Sequence, residues 1–136
     1  MVGTHESVSY EWRGAVVNAE VNGLHAEGFG SSDHDRDWVA QLDLNSLGWV
    51  CARRRAQLVG FLNVAWDGGS HAFILDTVVA SCAARRGIGT QLVAIATREA
   101  RLAGCEWLHV DFEENLRAFY VGACGFSDTG AGLIRL

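Results

Sequence analysis

Residues 78–90 read VVASCAARRGIGT and join the end of an apolar strand to a glycine turn and the start of a helix. Successive backbone N–H groups in such a turn, added to the unpaired N–H groups of a helix start, form a concave site that suits a pyrophosphate. Gly87 and Gly89 have no Cβ that would hold a phosphate away from the backbone. The stretch predicts a phosphate cradle, although a plain strand-to-helix turn also accounts for a single G-x-G.

Two familiar phosphate motifs are excluded. A P-loop needs Gly-Lys-Ser or Gly-Lys-Thr, and the chain contains no Lys. The dinucleotide fingerprint needs a third glycine at the position that Leu92 occupies. The loop therefore serves another phosphate ligand, or none.

The apolar periodicity predicts a mixed α/β order of elements around this loop. Upstream it indicates a short strand at 9–13, a helix at 16–29 that contains His25, and a second helix between an Asp33 cap and Gly48. Strands at 49–53, 58–66 and 72–80 should form an antiparallel meander. Downstream it indicates a helix at 88–103 capped by Gly104, a parallel strand at 106–112, a helix at 115–123 and a closing strand at 133–136.

A second motif follows the predicted parallel strand. Residues 115–120 read NLRAFY, and CGF follows at 124–126. Together with the glycine loop, these segments resemble the GNAT acetyltransferase superfamily, in which a valine-ended strand, a Gln/Arg-x-x-Gly-x-Gly/Ala loop and a later Phe-Tyr with Gly-Phe occur in this order. The matching positions are Val79, Gly87, Gly89, Phe119, Tyr120, Gly125 and Phe126.

The resemblance implies a fold of the α/β (α+β) class that extends over residues 1–136 as a single GNAT domain. We expect a central mixed sheet of about six to seven strands, with an antiparallel meander, a parallel splayed pair and about four helices. It also implies that acetyl-CoA is the co-substrate. The cofactor contacts that it implies are Val78, Val79, Arg85, Arg86, Gly87, Ile88, Gly89, Thr90 and Asn115.

This sequence departs from the superfamily pattern at three places. Ala84 stands where the loop usually starts with Gln or Arg, and Ser81 stands where proline is frequent. The spacing from Asn115 to Tyr120 is shorter than the commonest one. We expect Arg85, Arg86 and the backbone amides to supply the charge that Ala84 lacks.

The resemblance also implies roles in acetyl transfer. A backbone N–H of Val78 or Val79 would stabilise the negative charge that develops on the thioester oxygen. Tyr120 would protonate the departing CoA thiolate, a transfer that is uphill by only about 2 kcal/mol for unperturbed groups. A core tyrosine beside Phe119 and Phe126 is the structural alternative for Tyr120.

The base that must deprotonate an amine acceptor stays unassigned. Asp76, His71, Glu113 and His109 are the nearest strand or strand-end candidates, and each is also explained as a solvated residue. The segment 29–38, which contains Asp33, His34, Asp35 and Asp37, lies where the superfamily places the loop that covers the acceptor site, and a plain solvated loop also accounts for it. Trp49 and Trp66 are candidates for the lining of the acceptor site or for the core.

Composition limits the possible partners. The formal net charge of −5 provides no broad basic surface for nucleic acid or anionic lipid. Residues 1–9 have no signal-peptide character, and no apolar run reaches the roughly 18 residues of a membrane span, so we expect a cytoplasmic protein. The residues Cys51, Cys82, Cys105 and Cys124 have no C-x-x-C spacing, so we expect buried thiols and neither disulfides nor a metal site.

The resemblance also implies that the acceptor is a primary amine of a small molecule or a peptide. Homodimers are frequent in the superfamily, and we expect one here without an identified interface. A catalytically silent acyl-CoA-binding or sensor domain of the same fold would keep the loop without needing a proton donor. The other alternative is a small α/β interaction module, in which the glycines would only shape a turn.

Overall fold

The computed structural model describes residues 7–30 and 35–136, and its centre is a single twisted sheet. The strands are β1 (Ser9–Trp12), β2 (Ser46–Arg54), β3 (Gln57–Trp66), β4 (His71–Val79) and β5 (Trp107–Val110). They lie side by side in chain order, antiparallel from β1 to β4 and parallel between β4 and β5. The predicted antiparallel meander, the parallel crossover and the mixed α/β class are confirmed.

Helices cover both faces of the sheet. They are α1 (Asn18–Phe29), α2 (Trp38–Asn45) and α3 (Ile88–Leu102), and a π-helical segment, Ala118–Ala123, follows β5. On one face α2 packs through Trp38 against Phe61 of β3, with ring centroids 5.7 Å apart. On the other face α3 buries Ile88 and Leu92 over Gly60 of β3. No helix in the described part of the chain combines the length and apolar character needed to cross a membrane.

A β-bulge shapes the second half of β4. Phe61 of β3 pairs with Val78, whereas Asn63 pairs with Leu75. Leu62 therefore stands opposite both Asp76 and Thr77, and Asp76 has a left-handed backbone with a φ of 59°. A bulge bends its strand and reorients side chains, and bulges are enriched beside active sites.

The bulge coincides with the point where the sheet opens. β5 pairs with β4 only from His71 to Ile74, whereas β3 stays paired with β4 as far as Val79. Beyond Ile74, the edge of β4 that faces β5 has no strand partner in the described part of the chain. The splayed parallel pair that the family resemblance implies is therefore present.

Several predicted boundaries differ from the structure. The sheet has five strands instead of six to seven, because 133–136 forms no strand and Leu133 and Ile134 are about four-fifths exposed. The predicted helix at 115–123 is a 3₁₀ turn, Glu114–Leu116, followed by the π-helical segment. The predicted cap Asp33 lies outside the described residues. The residue that caps α2 is Asp37, whose carboxylate accepts the Ala40 N–H at 3.1 Å.

The buried side chain of Asn22 joins α1 to the start of α2. Its Oδ1 accepts the indole N–H of Trp38 at 3.1 Å, and its amide also bonds to both backbone groups of Arg36. The pair of Trp38 and Asn22 therefore fixes the position of both helices over the sheet.

We expect Asn22→Ala to lower the free energy of unfolding by about 2 kcal/mol, because the Trp38 indole N–H is left buried without a partner. Urea titration followed by fluorescence measures this loss. The matched control is Asn45→Ala at the exposed end of α2, which should change stability by less than about 0.5 kcal/mol. Equal losses of stability in the two variants would contradict the role of Asn22 as the partner of the Trp38 indole.

Candidate active site

The open edge of β4 presents unpaired backbone groups to the gap between β4 and β5. Val78 and Ala80 direct their backbone groups toward β3, since the Ala80 N–H donates to Val59 O at 2.8 Å and Val78 pairs with Phe61. Strand alternation turns the N–H and C=O of Val79 the opposite way, into the gap. Of the two predicted backbone contacts, the pairing favours Val79 as the one available to a ligand, and the Val78 N–H is directed at β3.

The predicted cradle lies directly after this edge. The N–H groups from Arg85 to Thr90 have no hydrogen-bond partner among the residues that the structure describes, and Gly87 caps α3 without any side-chain bond. Arg85 and Gly87 both adopt left-handed backbone conformations, with φ values of 62° and 74°. Consecutive unpaired N–H groups in such a turn, at the positive end of a helix dipole, form an anion site.

The other predicted loop contacts differ in exposure. Arg85, Arg86 and Thr90 are exposed, so they can reach a ligand at the loop surface. Ile88 is 2% exposed and packs in the core, so only its N–H faces the loop. A Cβ built on Gly87 meets nothing within 4 Å, which leaves room above the turn.

The Phe-Tyr motif packs against the glycine loop. A Cβ placed on Gly89 would lie 3.2 Å from the Phe119 ring and 3.9 Å from Val79 Cγ2. The structure thus brings together the strand end, the loop and the π-helical segment, as the resemblance implies. Asn115 lies exposed in the 3₁₀ turn before this segment, and its predicted cofactor contact stays a prediction.

Tyr120 is buried in a cluster of aromatic rings on the α3 side of β4. It stacks on Phe112 at 5.3 Å and meets Phe119 and Phe126 edge-on. Burial raises the pKa of the phenol above its ordinary value, and the neighbouring Thr77 hydroxyl partly opposes this rise. Thr77 Oγ1 is itself buried and makes no hydrogen bond of normal geometry among the described residues. Thr77 and Tyr120 therefore place two neighbouring hydroxyl groups on the same face of β4.

A second set of polar side chains lies on the opposite face of β4, and the sequence alone does not connect its members. His25 Nε2 of α1 is 3.1 Å from Asp76 Oδ1 at the bulge, and both side chains are more than four-fifths buried. Asn63 and Ser46 extend the chain of hydrogen bonds beyond Asp76. Asp76 was a candidate base, but nothing in the sequence connects it with a histidine 51 positions earlier.

The end of α1 is fixed to the exit of β4. Glu27 accepts both the N–H and the hydroxyl of Ser81 at 2.7 Å, which lowers the pKa of the Glu27 carboxyl. Just beside it, a Cβ on Gly28 would lie only 2.3 Å from Val78 Cγ2. The helix therefore sits directly on the strand between the bulge and the loop.

The other candidate bases lie elsewhere. His71, the first residue of β4, is hydrogen-bonded at 2.7 Å to His109 of β5, at the end of β4 remote from Val79. Glu113 is exposed after β5. The structure thus brings only Asp76, of the four candidates, to the bulge.

The cysteines agree only in part with expectation. All of Cys51, Cys82, Cys105 and Cys124 are free thiols, but only Cys51 is buried, and Cys82 is exposed in the 3₁₀ turn Ser81–Ala83. Burial raises the pKa of Cys51 to about 11, so this thiol is not a nucleophile.

The two tryptophans that were candidates for the acceptor site differ in burial. Trp49 belongs to the core, where its indole N–H donates to Gly14 O, and Trp66 is half-buried.

Comparison with known proteins decides the family. The model of the acetyltransferase (GNAT) family matches residues 17–126. The chain belongs to this family. Its match includes β4, the cradle, Tyr120 and the His25–Asp76 pair, so the candidate site lies entirely within the GNAT domain that was matched. No match to a curated protein was found.

Solved structures of acetyltransferases have the same fold. A GNAT family acetyltransferase from Streptococcus pneumoniae superposes with a TM-score of 0.74 at 23% identity, covering 95% of this chain and 98% of its own. An aminoglycoside N-acetyltransferase in complex with CoA gives 0.78 at 16% identity, with 100% and 98% covered. Glucosamine-6-phosphate N-acetyltransferase from Arabidopsis thaliana gives 0.71 at 16% identity, with 94% and 98% covered. At these identities the likeness concerns the fold.

The left-handed turn before α3 can be tested without any ligand. We expect Gly87→Ala to lower the free energy of unfolding by about 1 kcal/mol, because a Cβ disfavours the left-handed conformation although no atom clashes with it. The control is Gly23→Ala on the exposed face of α1, where alanine should stabilise by about 0.5–1 kcal/mol. Denaturant titration of both variants checks the opposite signs, and the same sign for both would refute the geometry of the turn.

Proposed function

We propose that this GNAT protein is an acetyl-CoA-dependent N-acetyltransferase whose acceptor is a primary amine of a small molecule or a peptide. The observation that carries the proposal is the open edge of β4, which leads from Val79 directly into the unpaired N–H groups of Arg85–Thr90. An extended amide-containing chain that ends in a pyrophosphate matches both halves of this surface, and CoA has that form. Membership of the acetyltransferase family supports the same reading.

The residues present fit CoA on physical grounds. The C=O of Val79 can accept a pantetheine amide N–H as an added strand would, which leaves the Val79 N–H for the thioester. The cradle can hold the pyrophosphate through its amides, with Arg85 and Arg86 adding positive charge. The buried Thr77 hydroxyl makes no hydrogen bond of normal geometry in the described part of the chain, so it can bond to a polar group that enters the gap.

Acetyl-CoA supplies an activated acetyl thioester, and the protein positions and polarises it. In direct attack by the amine, negative charge develops on the thioester oxygen, and the Val79 N–H, which faces the gap, would stabilise it. Tyr120 lies on the α3 face of β4 next to Thr77 and donates a proton to the departing thiolate. Its raised pKa keeps the phenol protonated, hence able to donate, into alkaline pH.

One observation favours a second candidate, a catalytically silent acyl-CoA-binding domain. The aromatic rings of Phe112, Phe119 and Phe126 surround Tyr120, as they would a purely structural tyrosine. Such a domain would bind acetyl-CoA and release no CoA thiol with any amine. Screening amines, amino acids, aminoglycosides and peptide N-termini by CoA thiol release separates the two functions and identifies the acceptor.

Binding should be visible as thermal stabilisation. At 100 times its dissociation constant, acetyl-CoA should add about 2.7 kcal/mol to the stability of the protein. S-acetyl-pantetheine, which lacks the pyrophosphate, should give a much smaller shift at the same concentration, because it cannot occupy the cradle. No shift with acetyl-CoA would overturn the proposed function, and equal shifts would overturn the role of the cradle.

Replacing the proton donor should separate binding from turnover. Tyr120→Phe should preserve the thermal shift with acetyl-CoA and lower the rate of CoA release by about 100-fold, because the thiolate then leaves without a positioned acid. Tyr10→Phe is the matched control, since Tyr10 is the other of the two tyrosines and lies on β1 at the far edge of the sheet. Unchanged turnover in Tyr120→Phe would refute the role.

A further inference from the structure

A polar pair lies on the face of β4 opposite Tyr120. Because of the bulge, the side chain of Asp76 faces α1 and that of Thr77 faces Tyr120. His25 and Asp76 thus lie on one side of the strand that borders the gap, and the phenol lies on the other. A reaction that removes a proton from one reactant and gives a proton to another needs two such groups at separate positions.

Two side chains of the neighbouring strands, Ser46 and Asn63, hold the carboxylate of Asp76 in place. Ser46 Oγ donates to Asn63 Oδ1 at 2.6 Å, which directs the Asn63 amide N–H toward Asp76 Oδ2, at 3.4 Å. Asn63 is 1% exposed, so water does not compete for this amide. Asp76 Oδ1 is then left for His25.

The contact with Asp76 determines which nitrogen of His25 carries the proton. An ionised carboxylate can only accept, so Nε2 donates to Asp76 and the neutral ring has its lone pair on Nδ1. Nδ1 makes no hydrogen bond to any residue in the described ranges. The imidazole ring also packs between two aromatic rings, with centroid distances of 4.4 Å to Phe29 and 5.2 Å to Trp38. His25 is therefore an oriented proton acceptor with one nitrogen available.

We infer that His25 is the general base that deprotonates the acceptor ammonium, and that Asp76 is a positioning residue that fixes its tautomer and stabilises the imidazolium. The inference rests on the proposed function. It assigns a role to two ionisable side chains at the bulge that the rest of the mechanism leaves unused.

The proton and electron balance is complete without another reactant. His25 Nδ1 takes one proton from the ammonium, and the amine lone pair forms the C–N bond to the acetyl carbon. The C–S bond then breaks, the sulfur keeps the electron pair, and the thiolate takes the phenol proton of Tyr120. The second proton of the attacking nitrogen returns the phenol to its protonated form through water. The proton on His25 is released to solvent.

The backbone at Asp76 makes a conservative test possible. Its φ of 59° lies in the left-handed region, which Asn tolerates better than other non-glycine residues. Asp76→Asn therefore keeps the bulge and the contact with Asn63 while removing the charge. His25→Gln keeps a polar side chain between Phe29 and Trp38 and removes the imidazole.

The experiment compares two isosteric acceptors of opposite charge state. Ethylamine is protonated at neutral pH, and methoxyamine is uncharged, so only ethylamine needs a base before attack. We expect His25→Gln and Asp76→Asn to lower CoA release with ethylamine by about 100-fold and to change CoA release with methoxyamine by less than about 3-fold. His71→Gln, at the remote end of β4, is the matched histidine control and should leave both rates unchanged.

A merely structural role would change the two rates equally, because a displaced helix α1 disturbs both acceptors. An equal loss with both amines, or no loss with ethylamine, overturns the inference. Retention of the acetyl-CoA thermal shift in the variants checks that they are folded. Failure of the proposed function is distinct, since wild-type protein would then release no CoA with any amine in the screen, including methoxyamine.

Discussion

The unequal pairing of β4 is the constraint on which the site depends. One edge of the strand is fully paired with β3, whereas the other loses β5 after Ile74. A strand whose backbone groups are satisfied on one side only can accept a further extended chain on the other side. The gap, the free groups of Val79 and the approach to the cradle all follow from this single feature.

The glycine turn could be predicted from the sequence because it depends on local backbone chemistry, whereas the Phe-Tyr motif was recognised only through the family resemblance. A glycine relieves the strain of the left-handed turn at position 87, and a Cβ on Gly89 would crowd the ring of Phe119; both are readable as glycines at a strand-to-helix junction. The meander was predictable for a similar reason, since its strands follow one another through short turns. The closing strand was not, because the apolar pattern at 133–136 indicates a strand only if a neighbour pairs with it.

The histidine and carboxylate pair could not be predicted, because its formation depends on the bulge. Counted by simple alternation from Leu75, whose partner Asn63 lies on the α1 face, Asp76 should face α3. The additional residue opposite Leu62 turns it toward His25 instead. Register shifts of this kind depend on packing along the whole strand, and a single sequence contains no local signal for them.

The close contact between α1 and β4 makes some positions less tolerant of substitution than others. Gly28 touches Val78, and Glu27 holds Ser81, so movement of this helix would disturb both the bulge and the exit of the strand. Phe29, one residue further, is about half exposed, as are Phe73 and Leu75 to a lesser degree. Substitution at Glu27 or Gly28 should therefore disturb the bulge and the exit of the strand together, whereas the exposed Phe73 and Leu75 take no part in the Glu27–Ser81 and Gly28–Val78 contacts.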